Sequence, residues 1–181
     1  MDAAALLKKY FTDGEALAIV FEHSRLVAAR AREVACTLAV PVDIQFVEEA
    51  ALLHDIGVCR VHAPKMGCFG SMPYICHGIA GREILEAEGL SRHALVCERH
   101  IGVGLTAEDV RRQQLPLPER DMVPLSLEEE IICFADLFYS KNPETVTVMK
   151  SRDEVRASLE KFGAGKTTIF DRWCARLCPA V

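Results

Sequence analysis

Apolar residues recur at helical spacing along almost the whole chain. Over residues 14–39, Leu17, Val20, Phe21, Val27, Val34 and Leu38 are separated by threes, fours and sevens, and Val40-Pro41 ends the run. Asp43 is placed to cap a second helix reaching about Ile56, with Gly57 ending it. Helices are also expected over 77–88, ending at Gly89, and from Ser91, as the cap, to about Ile101. Ser126 followed by Glu129 is a capping-box pattern opening SLEEEIICFADLFYS, and Ser151 with Glu154 repeats it before a helix to Phe162. Ile169, Phe170, Trp173 and Leu177 mark a last short helix. No segment alternates as a strand would and no internal repeat is present, so the class expected is all-α.

Two stretches break the rhythm. Residues 57–76 contain three glycines and two prolines, and residues 102–125 contain Pro116, Pro118 and Pro124 with room for one short helix around 106–113. Loops of about twenty residues are uncommon in a compact domain and are more often lids than spacers. Both are expected to line the mouth of a site.

Length and composition narrow the setting. A chain of 181 residues, half apolar and 26% charged, is expected to form one domain over 1–181, with a core over about 14–141 and a C-terminal helical extension over 151–178. No apolar run approaches the ~20 residues of a membrane span. In MDAAALLKKYF the lysines follow the apolar residues, the reverse of a signal peptide, so a cytoplasmic protein is expected. A net charge of −5 with no basic run argues against a nucleic-acid partner. The eight cysteines are scattered without C-x-x-C pairs and read as reduced, mostly buried thiols. A zinc site from Cys59, His62, Cys68 and Cys76 lacks the usual ligand spacing.

The chemistry begins at AALLHDIGV, residues 50–58, where five of nine residues are Ala, Leu or Ile around His54 and Asp55. Stripping an unpaired carboxylate of water costs several kcal/mol, and a metal cation is the obvious compensation. His23 lies in the first long helix, His54 at the end of the second, His77 at the start of the third and His100 at the end of the fourth. Asp136 lies in the fifth, in similarly apolar surroundings. Five successive helices thus each offer an imidazole or a carboxylate. GAGKTT at 163–168 imitates a phosphate-binding loop, but Glu160 stands where the first glycine belongs and a helix precedes it. A helix C-cap at Gly163 and a Thr cap for the next helix account for it.

The order His23, His54-Asp55, His77, His100, Asp136 resembles the HD-domain superfamily of metal-dependent phosphohydrolases. HDIG at 54–57 matches its central signature, and CHGIAGREIL, ERHIG and LEEEIICFADLFYSK resemble the segments that follow it in small single-domain members. The resemblance covers about residues 20–141. It implies an all-α core of about five helices, here with additional C-terminal helices. It also implies one metal bound by His23, His54, Asp55 and Asp136, with Asp55 bridging to a second held by His77 and His100. Four imidazoles and two carboxylates suit Fe, Mn, Co, Ni or Zn better than Mg or Ca, and two divalent transition-metal ions, iron first, are expected. The function implied is hydrolysis of a phosphate ester or anhydride of a nucleotide or small metabolite by metal-activated hydroxide. The pattern also resembles the diiron oxygenases of the superfamily, such as myo-inositol oxygenase, which activate O2, but the HDIG form favours hydrolysis; a non-catalytic nucleotide-sensing module is a third reading. Val58 stands where many HD phosphodiesterases carry Lys, and the Gly-Tyr-Pro motif of cyclic-dinucleotide phosphodiesterases is missing. Arg60, Lys65, Arg82, Arg99 and Lys141 are candidate phosphate-binding cations, with Lys141 and Arg60 foremost and assigned with Asp55 to catalysis. His62 could touch substrate, and His93, seven residues before His100, could support it by a hydrogen bond.

Overall fold

A computed structural model describes residues 1–178. The described residues form nine α-helices: α1 Ala3–Tyr10, α2 Gly14–Thr37, α3 Ile44–Leu53, α4 His77–Ala87, α5 Ser91–Arg99, α6 Ala107–Arg112, α7 Leu127–Asp136, α8 Arg152–Glu160 and α9 Ala164–Leu177. The fold is all-α. Asp13 starts α2 by accepting from the backbone N–H groups of Glu15 and Ala16, both at 2.9 Å. The buried stripe of α2 then runs Ala16, Ile19, Val20, His23, Ser24, Val27, Ala28, Ala31, Val34, Ala35. His23 therefore points into the core because its position in the helical repeat does.

That stripe spans two apolar clusters. Ala16, Ile19 and Val20 pack with α1, α4 and residues 53–68, whereas Val27 to Ala35 pack with α3, α7, α8 and α9. His23 and Ser24 lie between the two groups in sequence. On α3 and α5 the changeover falls beside His54 and His100: Ala51 belongs to one cluster and Leu53 to the other, as do Val96 and Cys97. The polar centre sits at the seam of the two cores. Val155, Leu159, Phe170, Trp173 and Leu177 of α8 and α9 join the same cluster as α7.

Several local expectations are corrected. α1 was not anticipated; Asp2 caps it, accepting from Ala5 N, and Leu7 is fully buried. α3 stops at Leu53 rather than Ile56, and residues 57–76 are not one irregular loop. They hold a 3-10 helix from Ile56 to Arg60, further 3-10 turns, and an antiparallel pair joining His62–Ala63 to Cys68–Phe69. Two-residue strands are too short to show an alternating pattern. Leu90, not Ser91, is the N-cap of α5. Ser126 accepts from Glu129 N, but the Glu129 carboxylate is taken by Arg99, so that capping box is half made. Thr106 and Asp109 form a full one that was not foreseen. Gly163 is the N-cap of α9, and Thr167 and Thr168 lie inside that helix, bonding back to Ala164 O.

Gly57 terminates nothing; it allows close approach. A Cβ there would stand 2.0 Å from the carbonyl oxygen of His77 and 2.3 Å from the backbone nitrogen of Gly81. Hydrogen is the only side chain that lets the 3-10 segment touch α4. Gly57→Ala is expected to destabilise by about 3 kcal/mol, the upper end for overpacking. Gly14→Ala, with nothing within 4 Å of the new methyl, should be neutral or stabilising by up to about 1 kcal/mol. Urea unfolding of the two variants checks this, and equal midpoints would refute the close-approach role.

Candidate metal centre

Helix ends deliver the polar side chains. His54 is the C-cap of α3, His100 the C-cap of α5, and His77 the C-cap of the 3-10 turn Tyr74–Cys76 as well as the first residue of α4. Asp136 closes α7. At such ends the carbonyls of the final turn have lost their regular helical partners. Each of these three imidazoles uses a carbonyl three residues back: Nδ1 lies 2.6 Å from Ala51 O in His54, 2.8 Å from Cys97 O in His100, and in His77 2.7 Å from Tyr74 O, which also accepts the His77 backbone N–H. A carbonyl can only accept, so Nδ1 carries the proton and donates it. Nε2 is left turned inward, a lone-pair donor whenever it carries no proton. His23, inside α2, has no such carbonyl, and its Nδ1 is buried without a partner.

The six residues converge in two sets that share Asp55. His23, His54, Asp55 and Asp136 form one, and Asp55, His77 and His100 the other, each with its donor atoms within 4.8 Å of one another. His23 Nε2 lies 2.9 Å from Asp136 Oδ1 and 3.3 Å from Asp55 Oδ2. His54 Nε2 is 3.0 Å from Asp55 Oδ2 and 3.5 Å from Asp136 Oδ1. The other Asp55 oxygen, Oδ1, is 3.5 Å from Nε2 of both His77 and His100. One carboxylate thus divides its two oxygens between the two sets.

These surroundings suit cations. Asp55 is completely buried, and its oxygens face imidazole nitrogens and the Lys141 ammonium rather than backbone donors. The inward nitrogens of His77 and His100 are 3.2 Å apart, and two lone pairs at that distance repel unless a positive charge lies between them. Imidazole with carboxylate, each imidazole held from behind by a carbonyl, is a donor set for divalent transition ions. On the chain's own charges, burial would lower the His54 pKa, but Asp55 and Asp136 outweigh it and push it up to about 10. Burial holds His77 down to about 3. Asp55 and Asp136 remain ionised against the cost of burial: His54 and then Lys141 hold the first carboxyl well below its ordinary range, and Lys141 foremost the second.

Lys141 also reaches this centre. Its Nζ lies 2.8 Å from Asp55 Oδ2 and 3.8 Å from Asp136 Oδ1. It also lines a cavity of about 660 Å³ with Lys65, Met66, Ser140, Asn142, Pro143 and Glu144. Arg60 does not join it, being engaged by Glu83 at 3.0 Å on the surface. Arg82 and Arg120 neutralise the buried Glu98, and Arg99 holds Glu129. His62 is exposed on its short strand. His93 faces Glu49 at 3.5 Å and packs edge-on against Phe46, away from a supporting role. The two long stretches between helices differ in what they do. Residues 65–66 border the Lys141 cavity, but residues 102–125 act as a brace, held by the Leu105–Met122 bridge and the Arg120–Glu98 ion pair. Lys166 of GAGKTT is bound to Gly104 O at 2.6 Å and Asp109 Oδ2 at 2.5 Å, a structural strut. The eight cysteines are free thiols, and among the described residues Cys59, His62, Cys68 and Cys76 form no ligand cluster. The sequence reading missed Tyr74, whose carbonyl orients His77; a position three residues before a ligand histidine at a helix junction was the available signal.

A proton on His54 competes with a cation for Nε2, so raising the pH toward 10 should strengthen metal binding. Zinc binding at pH 7 is expected to release about one proton from His54 and none from His77. Calorimetry in buffers of different ionisation enthalpy reads this directly. A slope of zero, or one unchanged in His54→Ala, would overturn it.

Among the described residues, no helix is long and apolar enough to cross a membrane. An uncharacterised protein of Methanocaldococcus jannaschii is 38% identical over 137 residues, covering 72% of this chain and 73% of that protein. Two proteins named tRNA (cytidine(56)-2'-O)-methyltransferase are also similar: that of Picrophilus torridus is 39% identical over 98 residues and that of Thermoplasma volcanium 35% over 99. The match takes in 54% of this chain but only 25% of each methyltransferase. No solved structure matches the chain. The HD domain family profile matches residues 20–140, the span that carries every member of the two clusters. The chain therefore belongs to the HD-domain family, and that membership implies metal-dependent chemistry of the phosphohydrolase type.

Proposed function

We propose that this protein hydrolyses a phosphate ester or anhydride of a nucleotide or small phosphorylated metabolite, using two divalent transition ions, iron first, held by His23, His54, Asp55, His77, His100 and Asp136. The observation that carries the reading is the division of Asp55, with Oδ2 toward His23 and His54 and Oδ1 toward His77 and His100. When bound, such ions supply Lewis acidity and lower the pKa of a water toward neutrality, the requirements of an in-line phosphoryl displacement. The chain's own residues do the rest. The carbonyls of Ala51, Tyr74 and Cys97 keep three imidazoles in the ligating tautomer. Burial of His23, His54 and Asp55 to zero exposure excludes bulk water and strengthens each electrostatic interaction there. Lys141 places an ammonium at the edge of the cluster, where it meets the charge of an incoming phosphate. Arg60 is assigned no part in this mechanism. A cytoplasmic setting and a small anionic substrate, with neither nucleic acid nor membrane as partner, complete the proposal.

The test is turnover of a panel of nucleotides, dinucleoside polyphosphates and sugar phosphates with O2 excluded. Phosphate or nucleoside monophosphate should be released, and redox-inert Mn or Zn should support the rate. His54→Ala, Asp55→Ala and Asp136→Ala are expected to lose roughly 100-fold or more. Lys141→Ala should raise KM more than it lowers kcat, because it mainly binds phosphate in the ground state. Substrate-dependent O2 consumption without phosphate release would instead establish the oxygenase chemistry that the same ligand types can serve.

A further inference from the structure

Tyr74 does more than lend its carbonyl. Its ring lies over the imidazole of His77, with centroids 4.8 Å apart and planes inclined by 34°. The turn that carries it is fixed by Pro73 and by the Cys76 N–H donating to Pro73 O at 2.9 Å. Yet Tyr74 is 38% exposed, whereas the side chains of His23, His54 and Asp55 are at 0% and those of Asp136 and Lys141 at 13% and 15%. Asp136 and Lys141 keep some exposure to solvent, and the Tyr74 ring beside His77 keeps more. The phenol is close enough to Lys141, Asp55 and Asp136 to respond to their charges, and burial foremost holds its pKa up to about 12, so it stays neutral.

A tyrosine that only covered His77 would need one face; this one leaves more than a third of its surface open beside that imidazole. The cavity of about 660 Å³ that Lys141 lines falls in the range that holds small-molecule ligands. We infer that Tyr74 is a specificity-determining residue, receiving a planar ring of the substrate on its open side while Lys141 takes the phosphate, so that nucleoside monophosphates are bound in preference to sugar phosphates. This rests on the phosphohydrolase reading for the nature of the site, but its test does not depend on turnover. Aromatic stacking of a base contributes roughly tenfold or more in affinity and tolerates any base. A sugar phosphate has no planar aromatic ring to stack and would gain no such affinity from Tyr74.

The experiment is calorimetric binding to the zinc-loaded full chain of two non-cleavable phosphonates, the analogues of AMP and of ribose 5-phosphate. The AMP analogue should bind roughly tenfold more tightly. Tyr74→Leu should erase that preference by weakening the AMP analogue alone, while Tyr74→Phe and Tyr74→Trp keep it. Zinc content and circular dichroism establish that each variant is folded and loaded. Equal affinities in the wild-type protein, or a preference that survives in Tyr74→Leu, would overturn the assignment, and the wild-type comparison stands even if Tyr74→Leu does not fold. A ring preference without hydrolysis of any phosphate ester would count against the chemistry and leave the role of Tyr74 in place. Hydrolysis of sugar phosphates and nucleotides alike, with no ring preference, would do the reverse.

Discussion

A carboxylate with no exposure and no backbone donor is a large electrostatic cost unless charged side chains surround it, and Asp55 is such a group. The four imidazoles, Asp136 and Lys141 are all arranged around it. Its Oδ2 faces His23, His54 and Lys141, and its Oδ1 faces His77 and His100. Removing either side of that arrangement would leave buried charge uncompensated, a penalty of several kcal/mol. The two apolar cores on either side cannot close over Asp55 unless positive charge or its equivalent is supplied, so the packing of the whole domain is tied to this one side chain.

Helix termini are how the chain meets that demand. A ligating imidazole must show one nitrogen to the centre and anchor the other, and a mid-helix carbonyl is already used by the backbone ladder. By placing His54, His77 and His100 where helices or turns end, the fold gives each a carbonyl three residues back. His23 shows the contrast: it sits inside α2, gains its position from the buried stripe, and has no anchor for Nδ1. The Gly57 contact belongs to the same logic, because it brings the segment after Asp55 against the first turn of α4, from which His77 projects.

The remaining cations sort by what they face. Lys141 follows the helix that ends in Asp136 and turns toward two carboxylates and a cavity. Arg82, Arg99, Arg120 and Lys166 meet acidic groups buried away from the centre. Those pairs secure residues 98–129 against α4, α7 and α9, which is why this proline-rich stretch is a brace. The same type of side chain turns to the candidate metal centre in one place and to architecture in another, and only the partner distinguishes them.

Much of this was legible in the sequence. Helical spacing gave the all-α class and put His23 on a buried face, and apolar residues around His54, Asp55 and Asp136 marked those groups as requiring compensation. The order of the six positions pointed to the family. These are local or periodic properties, set by 3.6 residues per turn and by the cost of desolvating charge. What only the tertiary structure decided depends on groups distant in the chain. It is the meeting of His23 with Asp136 across 113 residues, the division of Asp55 between two sets, the loss of Arg60 to Glu83, and the placing of Tyr74 beside the ring of His77. A sequence shows which side chains are costly to bury. It does not show which of several available partners will lie within 3 Å, because that is settled by how the helix ends pack.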